Sequence, residues 1–535
     1  MALSSIMKKS ALIWSISAIF LLGITVKDHP VGVNYALEGI SPQAIQAHMR
    51  FLSSDLLQGR LPGTPGYDIA AKYMATQFEK MGLIPLGDDS TYYQDVVLSR
   101  FNIDYSSSAI SVISRKEAKV LTIDENYFVY ARHDVEESGE ENEMIFSGFG
   151  IEYPSEGYSP VKSADINRKM VIALLGNPEF DPRDQSTGIF EKMEMAESLG
   201  AKGLVLITTP EILKRYSWSR LKYMTSRGFD IKSKNSPEHF FTAIIHHDVA
   251  ADLTGFSIDS LQVLANSKSF QSFKLPTSIS YHIHVSRDDQ ITQSPNVVAM
   301  IPGADSVLKK EYVVYTAHLD HIGVGGAVQG DSIYNGAYDN ASGCAILLEI
   351  ANAFKQLQTP PSRSIIFAIL TSEEIGLFGS RYFVKYPVVP LENIVANLNI
   401  DMVLMEGPLQ KAVALGKEYV DFEDIIEESA HELNIELMQD PMPQERLFMR
   451  SDHYSFVQQG IPALFVINDL TDSLNQAWFN NYYHKPQDEI RDNMHFEAGA
   501  SHAKLNFMIG YRISKKKERP QWKPDSEYHP KNRIN

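Results

Sequence analysis

The chain has little of several features that define common protein classes. It contains one cysteine, Cys344, in 535 residues, so an intrachain disulfide framework and a cysteine-ligated zinc knuckle are both excluded. The net charge of −17 argues against a nucleic-acid partner, because phosphate recognition depends on a basic surface. No internal repeat is visible, and 32 glycines and 26 prolines exclude a collagen-like chain. The remaining class is a globular protein of two to four domains, at roughly 100–200 residues per domain.

Long apolar runs are also scarce, with one exception near the start. Residues 11–26 form a 16-residue apolar stretch that follows Lys8 and Lys9, an arrangement typical of a secretory signal. A helix that spans a bilayer needs about 20 residues, so the stretch is short for a membrane span. We predict that residues 1–27 are a signal peptide, with an uncleaved membrane anchor as the alternative. The body of the protein is predicted to be exported, to the periplasm or the extracellular space.

The rest of the chain predicts an α/β protein. Ser41 followed by Pro42 is a typical helix start. From residue 296 onward, apolar runs alternate with amphipathic helices, and such runs are typical of strands buried on both faces of a parallel sheet. We therefore expect a mostly parallel central sheet sandwiched by helices.

The middle of the chain has a different sequence pattern, in which short β-like runs are separated by polar turns. It predicts a smaller β/α module inserted into the main domain, without a tight cluster of His, Asp and Glu. Its acidic stretch, residues 134–143, is interpreted as a solvated loop. The predicted units are a first catalytic segment at 38–110, the insert at 111–290, a second catalytic segment at 291–513 and a loosely docked tail at 514–535.

Polar side chains follow three of the predicted strands. His318 and Asp320 come after the first, Glu373 and Glu374 after the second, and Asp401 directly after the third. Ligands of open α/β sheets bind beyond the carboxyl ends of the strands, so these side chains are expected at one edge. Asp339, near a helix start, and His484, in a loop, are the other two candidates.

Histidine and carboxylate ligands without cysteine suit zinc, and less often manganese or cobalt. Two cations held close together are best served by a shared carboxylate, and a neighbouring glutamate can act as a general base on an activated water. Glu373 and Glu374 offer a base and a ligand in adjacent positions. Each motif alone is weak, because an aspartate at a helix start is usually only a cap. Their order and placement together favour a two-metal hydrolase.

These motifs resemble those of the co-catalytic di-zinc aminopeptidases, the family that includes glutamate carboxypeptidase II and the transferrin receptor. The resemblance is carried by His318-Leu319-Asp320, Asp339–Gly343, Glu373–Ser380, Asn399–Met402, Ser451-Asp452-His453 and Tyr483-His484. Residues 52–64, with Gln58-Gly59-Arg60, are similar to the opening segment of the family. Residues 146–151 and 196–201 resemble a protease-associated domain. The resemblance implies a zinc-exopeptidase-like fold with that domain inserted.

The resemblance also implies a role for each site candidate. Asp339 would bridge two zinc ions, His318 and Asp401 would complete one of them, and Glu374 and His484 the other. Glu373 would be the general base that takes a proton from the bridging water, and Asp320 would hold the ring of His318. Tyr483 would support the oxyanion, with Tyr482 and Tyr454 as competitors and a packed aromatic ring as the alternative.

Other polar residues near these motifs have plainer interpretations. His321 and His453 are expected to make structural hydrogen bonds rather than to bind metal. Asp452 and His453 are expected to shape the pocket wall, and Cys344 to be a small buried side chain. Arg446 and Arg450 lie near a pocket segment, and an arginine patch is the kind of group that would favour a substrate's terminal carboxylate over its amine.

We therefore predict a zinc-dependent exopeptidase that acts on peptide substrates, as an aminopeptidase. A carboxypeptidase or dipeptidase of the same family is one alternative, and a non-enzymatic receptor or scaffold with a vestigial site is another. Two related enzyme classes fit this sequence less well. Deacylases related to succinyl-diaminopimelate desuccinylase carry their inserted domain later in the chain than it is predicted here, and glutaminyl cyclases bind a single zinc ion rather than two. The sequence leaves the oligomeric state and the preferred residue open.

Overall fold

The computed structural model describes residues 32–114, 117–130, 137–153, 157–160, 166–180, 188–215, 217–225, 229–231, 240–287, 292–443 and 447–531. In chain order the strands are β1 (Ile84–Pro85), β2 (Tyr93–Gln94), β3 (Val97–Ser114), β4 (Glu117–Val120), β5 (Tyr127–Val129), β6 (Glu137–Phe146), β7 (Met170–Leu174), β8 (Gly203–Ile207), β9 (Phe229–Ile231), β10 (Phe241–Ile245), β11 (Phe273–Arg287), β12 (Thr292–Gln293), β13 (Asn296–Ile301), β14 (Tyr312–His318), β15 (Gly323–Val328), β16 (Asp331–Tyr334), β17 (Ser364–Leu370), β18 (Ile394–Asn399), β19 (Lys411–Leu415), β20 (Glu436–Met438) and β21 (Ala463–Asn468). The α-helices are α1 (Val33–Glu38), α2 (Pro42–Leu52), α3 (Pro65–Lys80), α4 (Ile189–Ser198), α5 (Pro210–Arg215), α6 (Trp218–Thr225), α7 (Ala250–Thr254), α8 (Ile258–Ala265), α9 (Gly343–Gln356), α10 (Phe378–Lys385), α11 (Glu423–Glu432), α12 (His453–Gln458), α13 (Ser473–Tyr482) and α14 (Phe496–Lys515).

One sheet is built from strands of the N-terminal and C-terminal parts of the chain. Its strand order is β1-β13-β17-β14-β18-β21-β19-β20, and β2 also pairs with β13. Its middle strands, β17, β14, β18 and β21, are parallel, whereas β13 and β19 join them antiparallel. The α/β class is therefore confirmed, and the parallel character belongs to the middle of a mixed sheet. That middle is the part where strand ends carry the site.

Both faces of this sheet are covered, as the continuous apolar runs predict. In β17, Ile365, Phe367 and Ile369 pack into one core, whereas Ile366 and Ala368 pack into another on the opposite face. Helices α2, α9 and α14 contact one another over the first core, and α10 contacts α12 over the second. The helices begin as expected: the Ser41 hydroxyl accepts a hydrogen bond from Ala44 N–H at 3.2 Å and caps α2.

The middle of the chain builds a second sheet in the order β12-β3-β11-β6-β7-β8-β10-β5. Strands β6, β7, β8 and β10 are parallel, and two apolar cores cover its faces. Residues 137–143 lie in β6, so the expected solvated loop is wrong for that part; residues 134–136 lie outside the described residues. Strand β3 begins at Val97 and joins this sheet, although it crosses the predicted boundary at residue 110. The domain boundaries themselves stay predictions.

The tail is docked more firmly than expected. The Trp522 side chain is buried, and its Nε1 donates a hydrogen bond to the Gly460 carbonyl at 3.0 Å. Lys523 N–H donates to the Tyr419 carbonyl at 2.7 Å. Within the described residues, helices of sufficient length and apolarity to cross a bilayer are absent. The apolar stretch at 11–26 lies outside the described residues.

Candidate metal centre

The carboxyl ends of the three middle strands bring the predicted residues together. His318 is the last residue of β14, Asp401 follows β18 by two residues, and Glu373 and Glu374 follow β17. Asp339 lies in the turn Ala337–Ser342 that leads into α9, and the peptide bond between Asp339 and Asn340 is cis. Parallel strands thus deliver the side chains to one edge of the sheet, as predicted.

Asp339 lies at the centre of the site because its two carboxylate oxygens face two different histidines. Oδ1 is 3.3 Å from Nε2 of His318, and Oδ2 is 3.1 Å from Nε2 of His484. The Asp339 side chain is buried. This is the placement that a carboxylate shared by two cations requires.

Each histidine faces a second carboxylate. Nε2 of His318 is 3.1 Å from Oδ1 of Asp401, and Nε2 of His484 is 3.2 Å from Oε2 of Glu374. The other oxygen of Asp401 accepts a hydrogen bond from the Ser451 hydroxyl at 2.7 Å. The site therefore divides into two halves that share Asp339.

His321 adds a group that the sequence did not assign to the site. Its Nδ1 is 2.6 Å from Oε1 of Glu374 and 4.0 Å from Oδ2 of Asp339. The group His321, Asp339 and Glu374 is close enough to hold an ion, as is the group His318, Asp339 and Asp401. The expectation that His321 makes structural contacts rather than binding metal stays a prediction, but its ring touches the Glu374 carboxylate.

Asp320 is placed differently from its expected role. The ring nitrogen Nδ1 of His318 is 3.1 Å from the backbone carbonyl of Asp320, whereas the Asp320 carboxylate is 3.8 Å away. That buried carboxylate instead accepts backbone N–H hydrogen bonds from Glu373 at 3.0 Å and Glu374 at 3.2 Å. Asp320 therefore holds the Glu373-Glu374 pair with its side chain and the His318 ring with its backbone.

The two histidine rings of the site have raised pKa values because carboxylates surround them. Burial acts to lower the pKa of His484, but the carboxylates of Glu374 and Asp339 outweigh it and raise that pKa to about 9. Burial also opposes a charged His318, and Asp401 and Glu373 raise its pKa well above the usual range. Protons on these rings thus offset the negative charge of the carboxylates, and a divalent metal ion bound there would replace them.

The pKa values of two carboxylates in the site shift in opposite directions. Burial and Glu374 act to raise the pKa of Asp339, yet hydrogen bonds from His318 and His484 outweigh them and lower it to about 2. Burial raises the pKa of Glu373 well above its usual range, and the carboxylates of Glu374 and Asp401 add to that rise. A carboxylate with a raised pKa beside other carboxylates is typical of a group that accepts and releases protons.

The donor spacing fits a bound transition-metal ion. Ligand atoms about 2.0–2.2 Å from a tetrahedral ion lie about 3.3–3.6 Å from one another. The four ring-to-carboxylate distances that involve Asp339, Asp401 and Glu374 fall between 3.1 and 3.3 Å. Imidazole and carboxylate donors also suit such ions chemically. The residues present can therefore hold two divalent cations with little movement.

A third group of candidate ligands lies outside this site. His246, His247 and Asp248 follow strand β10 of the second sheet, and their donor atoms lie within 4.8 Å of one another. The expectation that the middle region lacks a tight His and Asp cluster is therefore wrong. The two imidazole rings are stacked at 4.5 Å, and the Asp248 side chain is largely exposed.

The other residues singled out from the sequence differ in their surroundings. The Tyr483 ring stacks on the His484 ring at 3.9 Å and on Phe479 at 4.5 Å, which is the packed aromatic arrangement. His453 is buried, and its Nε2 is 2.6 Å from the Phe448 carbonyl, as expected for a structural histidine. Cys344 is buried, as expected. Arg450 is exposed, and Arg446 lies outside the described residues.

Sequence reasoning missed two buried charged residues beside the site, Arg60 and Asp488. Both side chains are 0% exposed, and both hold the backbone near Asp339. The only hints in the sequence are that Arg60 lies in a Gly-Arg turn and that Asp488 follows a proline shortly after His484. Charged residues in such polar loops are usually solvated, and the sequence offers no measure of their burial.

Residues 296–507 match the model of peptidase family M28. The match covers less than half of the chain, and it shows that this segment is similar to that family. The matched range contains every predicted metal ligand from His318 to His484, and also Glu373.

Curated relatives match parts of the chain. The chain is 28% identical over 207 residues to leupeptin-inactivating enzyme 1 of Streptomyces exfoliatus, covering 36% of this chain and 43% of that protein. It is 27% identical over 231 residues to aminopeptidase YwaD of Bacillus subtilis, covering 43% and 46% respectively. The match to mouse aminopeptidase NAALADL1 is 33% identical over 142 residues, covering 26% and 17%. The chain therefore spans less than half of the length of these relatives.

A solved structure matches over nearly the whole chain. The aminopeptidase from Aneurinibacillus sp. strain AM-1 aligns with a TM-score of 0.51 and 17% sequence identity, covering 91% of this chain and 97% of that one. At this identity the likeness concerns the fold. It includes the second sheet as well as the M28 segment, because the alignment covers both.

Proposed function

We propose that this protein is a zinc-dependent aminopeptidase that binds two zinc ions and removes N-terminal residues from peptides. The observation that carries the proposal is the Asp339 carboxylate between two histidines, at 3.3 Å from His318 and 3.1 Å from His484. His318, Asp339 and Asp401 would hold one ion, and Asp339, Glu374 and His484 the other. The names of the curated relatives support the activity, because two of the three are aminopeptidases.

Bound zinc would supply Lewis-acid polarisation of the scissile carbonyl and of a water molecule. Glu373 would accept the proton of that water and pass it to the leaving amine, a role that its raised pKa supports. Asp320 would hold the backbone of Glu373 in place through the 3.0 Å hydrogen bond to its N–H. The Tyr483 ring would fix the orientation of His484 by stacking, and an oxyanion contact from its hydroxyl is a further proposal.

Export and the role of the second sheet belong to the same proposal. The apolar stretch after Lys8 and Lys9 supports a signal peptide or an N-terminal anchor, and thus a periplasmic or extracellular location. The second sheet, built from residues 97–293, would be the inserted protease-associated domain.

The test is metal content and hydrolysis measured on one purified sample. Zinc per chain is counted, and an aminoacyl-p-nitroanilide panel is assayed with and without chelator. Two zinc ions with chelator-sensitive release of p-nitroaniline is the expected result. An N-acetylated peptide with a free carboxyl end should resist cleavage, whereas the same peptide with a free amine and an amidated end should be cut.

The alternatives give different results. Two zinc ions with cleavage from the carboxyl end alone would favour a carboxypeptidase, and cleavage of dipeptides alone a dipeptidase. Absence of bound metal, with no rescue by added zinc, would favour a receptor or scaffold with a vestigial site.

A further inference from the structure

The loop between His318 and Asp339 joins two candidate metal ligands, and two buried charges of opposite sign hold its backbone. Arg60 comes from the turn after α2, and Asp488 lies four residues after His484. Both side chains are 0% exposed. Neither was assigned a role in binding metal or substrate, so their position beside the site calls for a separate account.

The Arg60 guanidinium donates hydrogen bonds to backbone carbonyls of this loop. Its Nε donates to the Leu319 carbonyl at 2.7 Å, one residue after His318. Its two terminal nitrogens donate to the carbonyls of Asn335 at 2.6 Å and Gly336 at 3.0 Å, shortly before Asp339, and one of them also donates to the Leu52 carbonyl. The planar guanidinium thus ties both ends of the loop to a single group.

Asp488 accepts hydrogen bonds from the backbone N–H groups that come next in the chain. Its carboxylate accepts from Tyr338 N–H at 3.0 Å and from Asp339 N–H at 3.1 Å. Its backbone carbonyl accepts from Ala337 N–H at 3.0 Å, and its own N–H donates to the Lys485 carbonyl at 3.1 Å. Asp339 is therefore tied through Asp488 to the turn that carries His484.

We propose that Arg60 and Asp488 form a two-sided clamp that sets the spacing of His318, Asp339 and His484, and through it the affinity of the site for both metal ions. The proposal rests on the proposed function, since it assumes that the site binds zinc. Arg60 and Asp488 are positioning residues, because each acts on the backbone that carries a ligand.

The turn that carries Arg60 is built at some conformational cost. Gln58, Gly59 and Arg60 have φ of 47°, 67° and 49°, and left-handed backbone is unfavourable for residues other than glycine. A Cβ on Gly59 would lie 2.4 Å from the Tyr334 carbonyl oxygen, so the turn is pressed against the β15–β16 hairpin. Such a turn persists where surrounding contacts hold it, and the four hydrogen bonds of Arg60 supply them.

The test compares the zinc affinity of variants that keep the fold. Arg60→Lys keeps the positive charge but loses the planar guanidinium with its several N–H donors. Asp488→Asn keeps the shape of the side chain but replaces one acceptor oxygen with an NH₂ group. Arg363→Lys is the matched control, because Arg363 is also 0% exposed and donates to the carbonyls of Ile513 at 3.1 Å and Glu518 at 3.2 Å, outside the metal centre. Zinc dissociation constants are measured on metal-stripped protein by competition with a chromophoric chelator.

We expect both clamp variants to bind zinc about 10–100-fold more weakly, as for other groups that orient metal ligands, with KM unchanged once zinc is saturating. The control should lose thermal stability and keep its zinc affinity. Folded clamp variants with unaltered affinity would contradict the clamp. If Arg60→Lys does not fold, the result for Asp488→Asn decides. This variant should also show a smaller zinc-induced rise in melting temperature than the unaltered chain. Failure of the unaltered chain to bind zinc would contradict the proposed function instead.

Discussion

The carboxylate of Asp320 accepts a hydrogen bond from the backbone N–H of Glu373 at 3.0 Å, and its other oxygen accepts from Glu374 N–H at 3.2 Å. An asparagine at position 320 would turn a donor toward one of these N–H groups. We therefore expect Asp320→Asn to displace the pair and to lower kcat about 10–100-fold. Steady-state kinetics and zinc content, measured on the same preparation, check this prediction.

The surface offers a matched control for that variant. Oδ1 of Asp305 accepts backbone N–H hydrogen bonds from Val307 and Leu308, each at 2.8 Å, in a turn near the start of β14. Asp305→Asn makes the same chemical change outside the metal centre and should leave kcat and zinc content unaltered. Equal kcat for Asp320→Asn and Asp305→Asn would contradict the role of Asp320.

Glu373→Gln should retain zinc and lose most of its turnover. The amide is similar in size to the carboxylate but cannot accept the proton, and loss of a general base typically costs about 10²–10⁴-fold in rate. Metal analysis and single-turnover kinetics separate the two effects. Glu349→Gln removes another buried carboxylate, one that accepts from Ser41 N–H at 2.8 Å, and should keep its activity. Full turnover in Glu373→Gln would remove Glu373 from its assigned role.

The sequence predicted the parts of the site that follow from strand order. His318, Glu373 and Asp401 end or follow buried strands, and parallel strands align their carboxyl ends, so their meeting could be anticipated. The pairing of Asp320 with Glu373 could not, because it depends on which oxygen meets which N–H group. The second sheet was anticipated as a module, but β3 runs from Val97 to Ser114 and begins before the change in composition. Long strands of mixed composition carry no boundary signal.

Burial of charge was the other feature beyond the reach of the sequence. Arg60 and Asp488 carry no periodic pattern, and their roles arise from contacts with backbone 259 and 150 residues away in the chain. The tail was expected to dock loosely from its lysines and prolines. Trp522 is nevertheless buried, because its ring packs against Phe448 and Tyr528, which no local pattern indicates.

Zinc affinity should rise with pH up to about pH 9. Without metal, the carboxylates of Glu374 and Asp339 raise the pKa of His484 to about 9, against the effect of burial, so at lower pH a bound ion must displace a proton from the ring. Each displaced proton weakens the apparent affinity about tenfold per pH unit below that pKa. The pKa of Asp339 is lowered to about 2, so this carboxylate adds nothing between pH 6 and 9.

Chelator competition at pH 6, 7, 8 and 9, together with proton release on zinc addition in weakly buffered solution, measures this dependence. Release of at least one proton per chain near pH 7 is the expected result. An affinity that is constant between pH 6 and 9 would show that the imidazoles are already free of protons in the metal-free chain, contrary to the geometry around Asp339.

His502 should make the fold sensitive to mild acid independently of the metal centre. This side chain in α14 is fully buried, and burial lowers its pKa from 6.5 to about 4. The unfolded chain therefore binds a proton on this residue between pH 6.5 and 4, whereas the folded chain does not, so folded stability is full above pH 6.5 and falls as the pH drops. At pH 5 the loss is on the order of 2 kcal/mol.

His502→Asn removes the titration and keeps an acceptor for Asn506, whose Nδ2 lies 3.2 Å from Nδ1 of His502. Because both proteins share every other titrating group, the difference in their unfolding free energies isolates this residue. Urea unfolding of the metal-stripped proteins should give a difference that is constant from pH 7 to 9. The difference should then shift by about 2 kcal/mol in favour of the variant at pH 5. A difference that does not change between pH 7 and pH 5 would mean that the buried ring takes up its proton as readily in the folded chain as in the unfolded one.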